Sequence, residues 1–218
     1  MNARQLYDQK LDALYQETAQ MGNKIIDMIE SAKQLIQTRD TSLIDSIKEI
    51  EKQINTLEVS LEDQFVLLIA TEHPVAHDLR KIIASIKLIS HLERVGDYAV
   101  HVAKQAKKLS NRYLKEFAPS LVPMLETSLE MLLGTLEAFL EDNADKAKTI
   151  ASLDDQVDNA CKQYTRLIFS RIKPSEDSKE FASALLLGKS IERLSDHITN
   201  ICEWIIYADK NEHVELNP

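Results

Sequence analysis

Two short stretches place acidic side chains one helical turn apart. Glu93-Arg94-Val95-Gly96-Asp97 and Glu192-Arg193-Leu194-Ser195-Asp196 carry Glu, Arg and Asp in register, at an offset of 99 positions. On a helix, Glu93 and Asp97 are i and i+4, so both carboxylates lie on one face. The same holds for Glu192 and Asp196. Like charges at this spacing cost an isolated helix about 0.2–0.5 kcal/mol. That cost is small but incurred twice, and a bound cation would turn it into a gain.

An acidic stripe precedes each copy. Asp154 and Asp158 are again i and i+4, and Glu51, Asn55, Glu58 and Glu62 follow a four-three-four spacing along one face. Consecutive helices joined by a short turn pack antiparallel. With the first turn centred near Glu72-His73, Glu51 faces the Glu93–Arg94 level. With the second near Lys173-Pro174, Asp154 faces the Glu192–Arg193 level. Spacing fixes these levels to about one helical turn of 5.4 Å. Carboxylates converging at the edge of a core need a metal, an Arg partner or a proton. Oxygen donors suit Mg²⁺ or Mn²⁺, and carboxylate bundles also hold iron. The competing reading is a surface ion-pair network, with Arg94 and Arg193 answering the acids beside them.

The elements that must position these residues are helices. Of 218 residues, 44% are hydrophobic, 28% charged and only 6% aromatic, with four glycines and five prolines. Few turn formers and a sizeable apolar fraction point to long helices with short connections. Apolar residues three and four apart predict six helical segments. The first spans about Arg4 to Thr38, and Asp40-Thr41-Ser42 offers the second an N-cap. The second ends at Thr71-Glu72-His73-Pro74. The third runs from Pro74 to about Tyr113. Phe117 to Pro123, with two close prolines, reads as the boundary between halves. The fourth carries the stripe Val122, Leu125, Leu129, Leu132, Leu136 and Phe139, and Glu141-Asp142-Asn143 closes it and caps the fifth. The fifth stops at Lys173-Pro174. Ser175 caps the sixth, which reaches about Asp209. The expected fold is all-α: two tandem three-helix repeats, 1–116 and 117–210, packed into one elongated domain, with a frayed tail over 211–218.

Composition excludes some function classes. A net charge of −9 disfavours direct nucleic-acid binding, where phosphate contacts supply most affinity. Cys161 and Cys202 form no C-x-x-C pattern and read as reduced core thiols. The chain opens directly on an amphipathic helix, and no apolar run approaches the ~20 residues a membrane span needs. A soluble, cytoplasmic protein is expected. Trp204 is expected to pack against the second half.

At these motifs the chain resembles the PhoU family. Its members have two three-helix repeats with Glu-Arg-x-x-Asp in each third helix. The family's Pro-x-x-x-Asp-Leu-Arg opening of the third helix appears as Pro74-Val75-Ala76-His77-Asp78-Leu79-Arg80, and its Asp-x-x-x-Asp segment as Asp154-Asp155-Gln156-Val157-Asp158. The resemblance implies an accessory regulator that represses high-affinity phosphate uptake and phosphate-starvation genes when phosphate is plentiful. It implies partners: the ATP-binding subunit of the phosphate ABC transporter, in many bacteria a phosphate-sensing histidine kinase, and a second copy in a homodimer. It implies recruitment to the inner face of the membrane by the transporter, and no enzymatic activity. Some members bind multinuclear metal clusters. Carried onto this chain, the ligands are Glu51, Asn55, Glu93, Asp97, Asp154, Asp158, Glu192 and Asp196, with Glu58, Asp78, His101 and Asn200 as secondary candidates. The ion is iron, manganese, magnesium or zinc. Asn55 stands where an aspartate is usual, which weakens the expected first site. His101 stands where the second copy has Asn200, and the second copy opens its last helix with Asp177-Ser178-Lys179.

Two other classes compete. A di-iron helical-bundle oxidase would carry Glu-x-x-His on two helices. Here the residues three before the histidines are Ala70, Pro74, Leu88, Tyr98, Leu194 and Lys210. A purely structural helical protein would show long unbroken heptads, and the proline-punctuated pattern disfavours it.

Overall fold

A computed structural model describes residues 3–173 and 177–217. It contains α1 (Ala3–Thr38), α2 (Leu43–Glu72), α3 (His77–Lys108), α4 (Asn111–Leu140), α5 (Ala144–Ala151), α6 (Asp154–Arg171) and α7 (Ser178–Lys210). No strand occurs among the described residues. The fold is two tandem three-helix repeats, α1–α3 and α4–α7, in which α5 and α6 together fill the middle position. The α1 helix has 36 residues, or about 54 Å at 1.5 Å per residue, and the bundle is elongated accordingly.

The periodicity sets the packing. Along α1, Tyr7, Leu11, Leu14, Met21, Ile25, Met28, Ala32 and Leu35 recur at three, four and seven and are all buried. Each such Leu, Ile or Met contributes about 1.5–3 kcal/mol through its removal from water. The longest interface is α3 against α7, so the third helices of the two repeats lie side by side at the centre, with α1 also packed on α4. Within it, His91 and His197 bring their Nδ1 atoms to 3.2 Å, and the His197 ring stacks on Tyr98. Burial, the facing His197 and Lys87 push His91 down to about 4.

Several boundaries differ from the sequence expectation. The chain turns between repeats at Leu109-Ser110, and α4 runs unbroken through Pro119 and Pro123. Each proline removes one helical hydrogen bond. Phe117, Leu121, Met124 and Leu125, buried around them, hold the helix to the core. The true turn has no Gly or Pro. Arg39 clamps it by donating to the Leu109 carbonyl at 2.6 Å, and Glu180 by accepting from Ser110 N and Oγ, both at 2.9 Å. The α3 helix opens at His77, because His73 closes α2 in a left-handed conformation (φ 50°) and Pro74-Val75-Ala76 follow as a connection. The expected cap at Ser175 lies outside the described residues. Asp177 caps α7, its side chain accepting from Glu180 N. Asn143 caps α5 as expected. The expected fifth helix is divided at Ser152-Leu153, which leaves Asp154 as the first residue of α6.

Residues 211–217 of the tail are also not frayed. After Lys210, Asn211 takes a left-handed conformation (φ 58°) that turns the chain back over α7. Val214 and Leu216 then pack against the core.

Candidate carboxylate clusters

Each repeat gathers acidic side chains where its middle helix faces its third. In the first, α2 presents Glu51, Glu58 and Glu62, and α3 presents Glu93 and Asp97. All five are half-buried. Burial, then Asp97, Glu58 and Glu51, push the Glu93 carboxyl above its usual range, and Arg94 acts the other way. Glu58 is raised by burial and by Glu62 and Asp97, again against Arg94. Arg94 reaches Glu93 at 3.6 Å and Asp97 at 3.4 Å, and Ser90 donates to Glu62 at 3.0 Å. So Glu51 does share a field with Glu93, but Glu58 weighs on it more heavily, while Glu62 pairs with Ser90. The Ser90–Glu62 contact puts the register nearly two turns off, because the α2–α3 connection is centred past His73. Asn55 is exposed on α2, and the charge it lacks is supplied by Glu58 and Glu62.

In the second repeat, α6 presents Asp154 and Asp158, and α7 presents Glu192 and Asp196. The division at Ser152-Leu153 sinks Asp154 until only 7% of it is exposed. Burial first, then Asp196, Asp158 and Asp155, push its carboxyl up to about 7. Its Oδ1 is buried without a hydrogen-bond partner. Thr199 Oγ1 is likewise buried and unpaired, lying outside bonding geometry and offsetting only part of the rise. Asp154 thus meets Asp196, one turn beyond the expected Glu192–Arg193 level. Glu192 instead faces Cys161, whose Sγ lies 3.8 Å from Glu192 Oε2. Cations line the rim: Arg193 reaches Asp196 at 3.1 Å, Lys162 reaches Asp158 at 3.6 Å, and Lys189 pairs with Glu192.

The secondary candidates separate. Asp78 lies at the opening of α3, paired with Arg4 at 3.2 Å, away from the Glu93 cluster. His101 is exposed, its ring edge-on to Tyr98 at 5.8 Å. Asn200 is half-buried on α7. Both cysteines are free and buried. Trp204 packs edge-on to Tyr207 and His213 of its own repeat.

Oxygen-only donors, two facing helices and an orphaned buried Oδ1 fit a hard cation. As the side chains lie, however, no three His, Cys, Asp or Glu among the described residues are gathered closely enough to hold one ion. Guanidinium, ammonium and amide groups stand beside the acids instead. A cation would draw on Glu51, Glu58, Glu62, Glu93 and Asp97 in the first cluster, and on Asp154, Asp158, Glu192 and Asp196 in the second.

Sequence reasoning missed two contributors. One is the helix start at Asp154, signalled by the acidic pair Asp154-Asp155, which suits a helix N-terminus. The other is Asn217, which donates to Asp154 Oδ2 at 3.0 Å and to Asp196 Oδ1 at 2.8 Å. The alternating Val214 and Leu216 are its only signal.

Known proteins share this fold. Residues 18–106 and 121–205 match the PhoU domain. A Streptococcus pneumoniae protein, described as a phosphate-specific transport system accessory protein PhoU homolog, is 30% identical over 215 residues, which covers 98% of this chain and 100% of that one. The Escherichia coli phosphate-specific transport system accessory protein PhoU is 29% identical over 209 residues, 94% of this chain and 86% of its own. The crystal structure of the phosphate transport system regulatory protein PhoU from Streptococcus pneumoniae matches with a TM-score of 0.89 at 29% identity, over 96% of this chain and 99% of that one. That of PhoU from Pseudomonas aeruginosa matches with a TM-score of 0.84 at 28% identity, over 94% and 100%. Among the described residues, no helix is long and apolar enough to cross a membrane.

Proposed function

Because the chain belongs to the PhoU family, we propose that it is an accessory regulator of a phosphate transport system. It acts by contact rather than catalysis. It docks on the ATP-binding subunit of the phosphate ABC transporter at the cytoplasmic face of the membrane and favours the transporter's idle state. Phosphate-starvation signalling is restrained with it, a sensor histidine kinase being the second partner, and the working form is a homodimer. The observation that carries this reading is the doubled Glu-Arg-x-x-Asp helix, each copy facing acids on its own middle helix, in a chain similar to PhoU proteins over nearly its whole length.

Metal ions deepen the reading. Iron, manganese, magnesium or zinc held by the two clusters would neutralise carboxylates that burial and mutual repulsion now disfavour as anions. It would also tie the middle helix of each repeat to the third and fix the angle between them. The ion's part is structural and electrostatic.

A pull-down with the transporter's ATP-binding subunit at high and low phosphate tests the docking. Retention at high phosphate and weaker retention at low phosphate is expected. No retention at either level would remove the regulatory reading. A variant with Glu93, Asp97, Glu192 and Asp196 all changed to alanine, with its helicity checked by circular dichroism, should lose binding. Equal retention of the folded variant would dismiss the metal role while leaving the docking intact.

A further inference from the structure

The segment after α7 is built into the second carboxylate cluster. His213 stacks on Tyr207 with ring centroids 4.3 Å apart. Val214 and Leu216 pack on the core. The Leu216 amide donates to Glu203 Oε1 at 2.7 Å. These contacts deliver the Asn217 carboxamide between α6 and α7, where its Nδ2 meets Asp154 and Asp196 at 3.0 and 2.8 Å. An NH₂ group has two donors, and each is aimed at a different carboxylate. Leu216 and Asn217 also close one side of a cavity of about 250 Å³ that Asp154, Asp155 and Asp158 line on the other.

The amide stands where a cation would stand, but it is an incomplete substitute. It carries no formal charge, so it leaves the repulsion between Asp154 and Asp196 in place. It also leaves Asp154 Oδ1 buried and unpaired. A divalent ion would satisfy both needs, yet it would have to reach the same two carboxylates that Asn217 now engages. The donors that suit two anions are repelled by a cation. Either the NH₂ group leaves or the whole strap lifts.

We propose that residues 214–217 form a strap that competes with a cation for Asp154 and Asp196, so that loading of the second cluster and release of the tail are one event. The idea rests on the reading that this cluster takes a cation. The first cluster has no such segment among the described residues, so the two repeats would load differently. The strap is anchored on Glu203 and the Trp204–Tyr207–His213 rings, which makes Trp204, the chain's one tryptophan, a reporter of its position.

The test uses the full chain with the first cluster silenced by Glu93→Gln and Asp97→Asn, so that Mn²⁺ reads only the second. Binding is followed by electron paramagnetic resonance of free Mn²⁺, and strap position by Trp204 emission. Two further variants release the strap differently. Asn217→Ala removes the competing amide, and Leu216→Pro removes the backbone donor to Glu203. Both should bind Mn²⁺ about tenfold more tightly, because a site open only a fraction of the time loses apparent affinity by that fraction. Mn²⁺ should shift Trp204 emission in the parent, towards the value Leu216→Pro shows without metal. Binding detectable only in the strap variants would support the proposal most strongly. Equal affinities in parent and variants would overturn it while leaving the cation reading intact. Weaker binding by Asn217→Ala would also overturn it, since it would make the Asn217 oxygen a ligand. No binding in any of the three would remove the cation reading and the competition with it.

Discussion

The two carboxylate clusters occupy equivalent places in the two repeats, yet they handle their charge in opposite ways. The first keeps five acids half-buried at a rim with Arg94, and the upward push on Glu58 and Glu93 is correspondingly limited. The second sinks Asp154 into the core edge, raises it to about 7 and covers it with an amide from the tail. The cause is local. The first repeat's middle helix is continuous past its acids, so they lie along its surface. The second is divided at Ser152-Leu153, and the chain turns inward just before Asp154. A duplicated motif thus yields one site whose acids are shared with solvent and one whose acids depend on internal partners.

The largest effect that would sharpen this contrast is in cation stoichiometry. Mn²⁺ titrated calorimetrically into the full chain should lose one class of sites with Glu93→Gln plus Asp97→Asn, and the other with Asp154→Asn plus Asp196→Asn. Two classes surviving in both double variants would break the comparison, because the carboxylates would then not be the ligands.

Next in size is the pH dependence of stability at Asp154. Its folded carboxyl holds a proton up to about 7, against an ordinary aspartate value of 3.8. The unfolded chain therefore releases that proton first as pH rises. Stability from the protonated form is fully present below pH 4 and is lost as pH climbs through 7. Asp154→Asn cannot ionise and escapes this loss. Its stability relative to the parent should improve by up to about 3 kcal/mol between pH 4 and pH 8, read by urea denaturation at each pH. Glu93→Gln should show the same sign and a smaller change. A parent and Asp154→Asn that stay parallel across this range would place Asp154 in water.

Much of this architecture is legible in the sequence, for physical reasons that can be named. Long apolar stripes at three and four fix which face of a helix is buried, so Leu125, Leu129, Leu132 and Leu136 reach the core as expected. The offset of 99 likewise places both Glu-Arg-x-x-Asp segments on central helices. What spacing does not carry is register between helices. A hairpin's level is set by the last few residues of its turn, and His73 closing α2 in a left-handed conformation goes with a first pairing nearly two turns from the expected one. Proline misleads at Pro119 and Pro123, because burial on both sides outweighs two missing hydrogen bonds. Conversely, Leu109-Ser110 has no Gly or Pro and is held by Arg39 and Glu180, far away in the chain. The polar-rich terminal residues carry no periodicity and so look frayed; Asn217 acts through long-range contacts alone.

The smaller effects concern how closely the helices approach in the two halves, and glycine reports it. Gly188 lies on α7 against α6, where an added Cβ would come within 2.5 Å of the Tyr164 ring. That ring is fully buried and fixed by its hydroxyl donating to the Ala184 carbonyl at 3.1 Å, so it cannot swing aside. Gly188→Ala should destabilise the protein by about 2 kcal/mol. By spreading α6 from α7 it should also weaken cation binding at the second cluster and leave the first unchanged.

Gly96 is the opposite case, and it gives the finest discrimination between the two halves. It lies on α3, in the motif itself, and is buried. A Cβ there would find Ile25 and Met28 no nearer than 3.8 Å, which is ordinary contact distance. The backbone is helical, so no special conformation demands glycine. Ala restricts the unfolded chain more than Gly and favours the helix. Gly96→Ala should therefore stabilise the protein by about 0.5–1 kcal/mol, with Glu93 and Asp97 still able to bind Mn²⁺ as in the parent. The second repeat already carries a larger residue at the matching position: Ser195, buried, with its Oγ 2.8 Å from Ser128 Oγ. A loss of stability in Gly96→Ala would mean that α3 sits closer to α1 than these distances allow, and that the first cluster, like the second, depends on tight helix approach.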